Sequence, residues 1–138
     1  MDKKTLKQYI SLKREQEMIE KKLDRLEERE DDVPVIYGKV KGSAPEFPYI
    51  ETHMMVAMDE PKKMDHIIRQ RMINERRKDQ VNDLLIEIEE FIADIPDSSH
   101  RQIFEMVFLN GKTQQEAGER AGYSKGRISQ IIGQYVKD

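Results

Sequence analysis

Residues 111–136 read GKTQQEAGERAGYSKGRISQIIGQYV, and this stretch decides the fold. Thr113-Gln114-Gln115-Glu116 has the spacing of a capping box, with Thr as N-cap and Glu three positions on. It opens a short helix through Ala121, in which Ala117 faces inward and Gly118 lets a neighbouring element come close. Gly122 permits a tight turn. Ser124 then caps a last helix whose inward stripe is Ile128, Ile131, Ile132 and Tyr135. Two short helices joined by about three or four residues cross steeply. The second one therefore projects from the body, where it can enter a major groove.

The outward positions of that last helix are Lys125, Gly126, Arg127, Ser129, Gln130 and Gln134, following the cap Ser124. An exposed helical face that only meets water usually mixes acids with bases, but Ala121 to Lys137 contains no Asp or Glu. A plain helical hairpin with a polar outside is the simpler alternative, and the missing acids argue for double-stranded DNA instead. Arg127 suits guanine edges and Gln130 suits adenine. Lys125 and the helix N-terminus suit phosphate, and the amides of Thr113 and Gln114 suit another.

Upstream, Ile95-Pro96-Asp97 ends one helix and starts the next, because the residue before Pro is pushed out of the α region and Asp97 caps well. The helix after Asp97 or Ser98 is expected to bury Ile103, Phe104, Met106, Val107 and Leu109. Asn110-Gly111 stops it, with Gly111 left-handed.

Residues 61–94 predict a long helix that starts near Pro61. Met64, Ile67, Ile68, Met72 and Ile73 are expected to line one side, continued by Leu84, Leu85, Ile88, Phe91 and Ile92. Its centre, RQRMINERRKDQ, contains Arg69, Arg71, Arg76, Arg77 and Lys78, which could reach phosphates. We read it first as a solvated face with i,i+4 pairs such as Arg71–Glu75. Residues 31–60 carry Pro34, Gly38, Gly42, Pro45 and Pro48 and read as a linker, with short extended pieces or a β-hairpin near Lys41-Gly42. Residues 2–30 lack Gly and Pro and read as one helix. Leu12, Ile19 and Leu26 recur every seven residues beside a row of Tyr9, Gln16 and Leu23. So narrow a seam needs another helix, from this chain or from a second copy. A homo-oligomer through these helices is the expectation, with packing inside the chain as its alternative.

The expected organisation is all-α: a coiled-coil-like helix over 1–30, a linker over 31–60, a long helix over 61–94 and a helix-turn-helix over 95–138. Composition narrows the function. Among 138 residues, 37% are charged and 37% hydrophobic, with no Cys and no Trp. Disulfides and thiolate metal sites are excluded. Glu51, His53 and Asp59 do not make a ligand spacing, and His53, His66 and His100 are scattered, so no metal and no cofactor is expected. No Gly-rich phosphate loop, paired-carboxylate pocket or nucleophile–base pattern is present, which argues against an enzyme. No apolar run reaches membrane-spanning length, and MDKKTLKQ lacks the apolar region of a signal peptide. A cytoplasmic protein, in a bacterial host cell, is expected. The net charge is −3, but residues 61–80 hold seven Lys/Arg against three Asp/Glu, and local surfaces are what meet phosphates.

Residues 95–136 resemble region 4 of sigma-70-type factors. The resemblance rests on Ile95-Pro96, Arg101, Gly111-Lys112-Thr113-Gln114-Gln115-Glu116-Ala117 and Gly122-Tyr123-Ser124-Lys125-Gly126-Arg127-Ile128-Ser129. The departure is Ala117-Gly118, where that family usually has Ile-Ala after Glu. No sigma region 2 is visible. The whole chain resembles small phage or prophage late-gene regulators of the ArpU and RinA type, helped by Tyr37–Ser43 and Pro45–Ile50. That resemblance implies activation of late or packaging genes. Two other readings stay open: a DNA-packaging protein of the small-terminase type, and a protein that meets RNA polymerase or a sigma factor.

Overall fold

The computed structural model describes residues 1–31 and 60–137. The linker features around Lys41-Gly42, and Glu51, His53 and Asp59, lie outside the described residues. The described residues are helical as expected, and they contain no strand beyond a single bridge between Asp2 and Lys137. No described helix is long and apolar enough to cross a membrane.

The N-terminal helix comes in two pieces, α1 (Lys3–Leu6) and α2 (Tyr9–Asp31). The break at Lys7-Gln8 has no Gly or Pro to announce it. The long second helix, α3, spans Glu60–Ala93. Then follow α4 (Ser98–Phe104) with a π-helical turn at Glu105–Leu109, α5 (Gln114–Ala121) and α6 (Lys125–Tyr135).

Contacts divide the chain into two compact units. One joins Met1–Met18 to Asp79–Asp138, and the other is Ile19–Lys78. In the first unit, the Tyr9 hydroxyl donates to Glu89 Oε1 at 2.6 Å, and the Gln16 amide donates to Asn82 Oδ1 at 2.6 Å. Seven residues forward on α2 match seven back on α3, so the helices run antiparallel there. The heptad seam that called for a partner finds α3 of its own chain: Leu12, Val81, Leu85, Ile88 and Ile92 are all buried. The cation of Lys13 lies 3.8 Å from Glu89 and 5.7 Å from the Tyr9 ring. Burial and the Glu89 bond push the Tyr9 hydroxyl up to about 12.

The centre of this unit is Phe104. Its ring meets Phe91 at 6.3 Å, Phe108 at 5.4 Å and Tyr135 at 5.6 Å between centroids. Of the residues expected inside α4 and its π turn, Ile103 and Phe104 are buried, while Met106, Val107 and Leu109 are half-buried. Phe108 takes the inward place one turn beyond Phe104, because one apolar stripe cannot hold five residues out of seven. The main chain of Lys3 donates to Lys137 O at 2.9 Å, which ties the start of the chain to the end of α6.

Among the described residues of the Ile19–Lys78 unit, the buried apolar side chains are Ile19, Leu26 and Ile67. Ile68, Met72 and Ile73, expected on the inner side, are exposed, with Met72 and Ile73 each 57% accessible. The inward row of α3 instead follows Ile67, Gln70, Arg71 and Asn74, which are buried or half-buried. Arg71 does not pair with Glu75 along the helix; its guanidinium binds the carboxylate of Glu30 on α2. A bidentate-capable cation facing a carboxylate on a neighbouring helix is better placed than an i,i+4 contact in open water.

Candidate nucleic-acid interface

The turn between α5 and α6 is built from local chemistry. Thr113 Oγ1 accepts the Glu116 amide at 3.1 Å, and its hydroxyl donates to the Glu116 carboxylate at 3.2 Å. This variant of the capping box satisfies an orphan amide at the start of α5. Gly122 ends α5 with φ +78, a left-handed cap. Ser124 Oγ accepts the Arg127 amide at 3.2 Å and starts α6.

Gly118 sets how closely the turn folds back on α5. A Cβ there would meet the Tyr123 carbonyl oxygen at 2.5 Å. The Tyr123 amide also donates to Gly118 O at 2.9 Å. Ala117 beside it is fully buried, as are Ile128, Ile131 and Ile132 on the underside of α6.

The far end of α6 is held as well. Tyr135 OH lies 2.6 Å from His100 Nδ1, and the two rings meet edge to face at 5.5 Å. His100 follows the N-cap Asp97, whose carboxylate accepts Ser99 Oγ at 2.8 Å and the amides of Ser99 and His100. The Ser99 hydroxyl, then the His100 amide, hold the Asp97 carboxyl below its ordinary range. Arg101 donates to Ile95 O at 2.8 Å and so closes the chain end of α3.

With its underside buried and both ends fastened, α6 turns a polar edge outward. Ser124, Lys125, Gly126, Arg127, Ser129, Gln130 and Gln134 are all exposed. Arg127 Nη1 lies 3.4 Å from Gln130 Oε1, so the two side chains share one strip of surface. Thr113 is exposed at the start of α5, and Gln114 is half-buried. Tyr123 was not among the expected residues, yet its ring is 37% accessible in the turn itself. The signal was present as an aromatic in an otherwise polar turn. Among the described residues no group of acids and histidines could hold a metal ion.

Neither a curated protein nor a solved structure matches the chain. The sequence pattern of the family "Sigma-70, region 4" matches residues 97–136, which covers α4 to α6 and leaves residues 1–96 outside. That family consists of DNA-binding regulatory domains and not of enzymes. Residues 97–136 are therefore a sigma-70 region 4-like helix-turn-helix.

Proposed function

We propose that this chain is a sequence-specific transcription regulator of the phage or prophage type, acting on late genes in the cytoplasm of a bacterial host. The helix α6 is its recognition helix. The observation that carries this reading is the acid-free exposed edge of α6, set on a helix-turn-helix of the region 4 kind. Arg127 and Gln130 read base edges from neighbouring positions, and Ser129 and Gln134 extend the contact. Lys125, Ser124 and the amides opened by Gly126 hold phosphate at the N-terminus of α6, while Thr113 and Gln114 hold a second phosphate at the start of α5. A homo-oligomer would present two copies of α6 to half-sites about one helical turn apart. The late-gene assignment is supported by the sequence resemblance over the whole chain, and RNA polymerase is a second partner in keeping with region 4.

Selection of bound sequences from random duplex DNA tests the reading. An enriched operator is expected, and Arg127→Ala should weaken binding to it by about 1–3 kcal/mol with relaxed preference at one base pair. No enrichment, or an operator that Arg127→Ala binds as wild type does, overturns it.

A further inference from the structure

A second basic surface lies in the Ile19–Lys78 unit, far in sequence from α6. The charges of α2 there are sorted by side. Asp24, Glu27, Glu30 and Asp31 line one groove against α3, where Arg71 already binds Glu30. Lys22, Arg25 and Arg29 line the other, an open groove of about 270 Å³. The α3 side of this second groove supplies His66, Gln70 and Asn74, and no acid. Its floor is Leu26, which is buried. Lys22, Arg25 and Arg29 are exposed, and none has an ionic partner among the described residues.

A face that only meets water gains from acids placed three or four positions from bases. Here the three cations stand at those spacings from one another and repel, and of the described acids only Glu28 stands at such a spacing from one of them, Arg25. A bound polyanion removes that repulsion. The three residues span about 10 Å of helix, at roughly 1.5 Å per residue. That length matches about three intervals between successive phosphates of one DNA strand, each about 3.4 Å along the duplex axis. Two of the three are guanidinium groups, whose planar forks fit phosphate oxygens, and the amides of Gln70 and Asn74 add donors. The acidic flank of a second copy, where Arg71 pairs with Glu30, is the rival occupant, and a salt slope unchanged in the groove variant would point to it.

We propose that the groove of Lys22, Arg25 and Arg29 is a second DNA-binding site that grips the phosphate backbone without reading sequence. This goes beyond α6 and rests on the proposed function only for duplex DNA as the partner.

The test measures binding of the full chain to a random-sequence duplex across a salt series. Compared are wild type, a groove variant (Lys22→Gln, Arg25→Gln, Arg29→Gln), a control that loses three charges elsewhere (Lys4→Gln, Lys7→Gln, Arg14→Gln) and an α6 variant (Lys125→Ala, Arg127→Ala). Three lost phosphate contacts should flatten the slope of log affinity against log salt by about 2.7, at roughly 0.9 for each contact. The groove variant is expected to show that change and the control much less. The same drop should appear when the groove changes are added to the α6 variant. An unchanged slope, or an equal loss in the control, overturns the inference. If the α6 variant binds random duplex and selected sites as wild type does while the groove variant fails, the groove stands and the α6 reading falls. Binding of inorganic phosphate with no change in the DNA slope also overturns it. Circular dichroism checks that the Gln variants keep their helices, which Gln favours.

Discussion

The Phe104-centred unit and the Ile19–Lys78 unit share two helices of similar charge and solve burial differently. The first closes a core of aromatic and branched side chains on α1 to α6. Among its described residues, the second buries Ile19, Leu26 and Ile67 and pairs Arg71 with Glu30. Apolar burial contributes about 1.5–3 kcal/mol for each large side chain, whereas a half-exposed ion pair contributes about 0–1 kcal/mol. The difference teaches where the described apolar burial is concentrated: it lies in the core that supports α6, while the described part of the other unit presents mostly charged and polar side chains.

The sharpest way to break this comparison is truncation in each core. Phe104→Ala should destabilise by about 3–5 kcal/mol, because the ring is fully buried among three other aromatics. Ile67→Ala should cost about 2 kcal/mol, at the low end of its class, because few described apolar side chains are buried with it. Chemical denaturation of both variants measures this. Equal losses would mean that Ile67 is as well packed as Phe104.

How far these contrasts could be read in the residues differs between the two units. In α5 and α6 the signals are local. Thr113, Ser124 and Asp97 cap where spacing places them, and Gly111 and Gly122 both take positive φ. Ile128, Ile131 and Ile132 fall inside because one period governs a short helix. Long-range features leave no such mark. The Lys3–Lys137 bridge is made by main-chain atoms, which every residue carries. Arg71 has Glu75 at a suitable distance along the helix, and only the fold brings Glu30 to it. The exposed Ile68, Met72 and Ile73 defeat a reading by hydrophobicity, since the inward row there is mostly polar. The outward set on α6 was legible because the same count that puts isoleucines inside puts Lys125, Arg127 and Gln130 outside. The Lys22–Arg29 groove was not, because its other wall comes from α3.

A middle-sized test compares two glycines in the same turn. Gly118→Ala should destabilise by about 2 kcal/mol, because its Cβ would press on a backbone carbonyl that cannot yield cheaply. Gly122→Ala has open space around it and should cost about 1 kcal/mol, from the left-handed backbone alone. Thermal melts separate the two, and a reversed order would show that backbone conformation outweighs close packing here.

The smallest effect concerns pH. The Tyr9 hydroxyl ionises near 12 in the folded chain, against an ordinary 10.0. Its neutral form is the one the fold favours, so this contribution is complete below pH 10 and is lost as pH rises towards 12. Absorbance titration of wild type minus Tyr9→Phe should place the phenolate midpoint near 12, and Glu89→Gln should lower it. A midpoint near 10.0 would show that neither burial nor Glu89 holds the hydroxyl.

The bond between His100 and Tyr135 has one further consequence. A helix pinned at its tail as well as at its cap loses little disorder when it meets a ligand. Calorimetry of operator binding should accordingly lack the large heat-capacity drop that marks folding coupled to association. Cutting the pin with Tyr135→Phe should make that drop larger and slow the arrival of the complex at its final state.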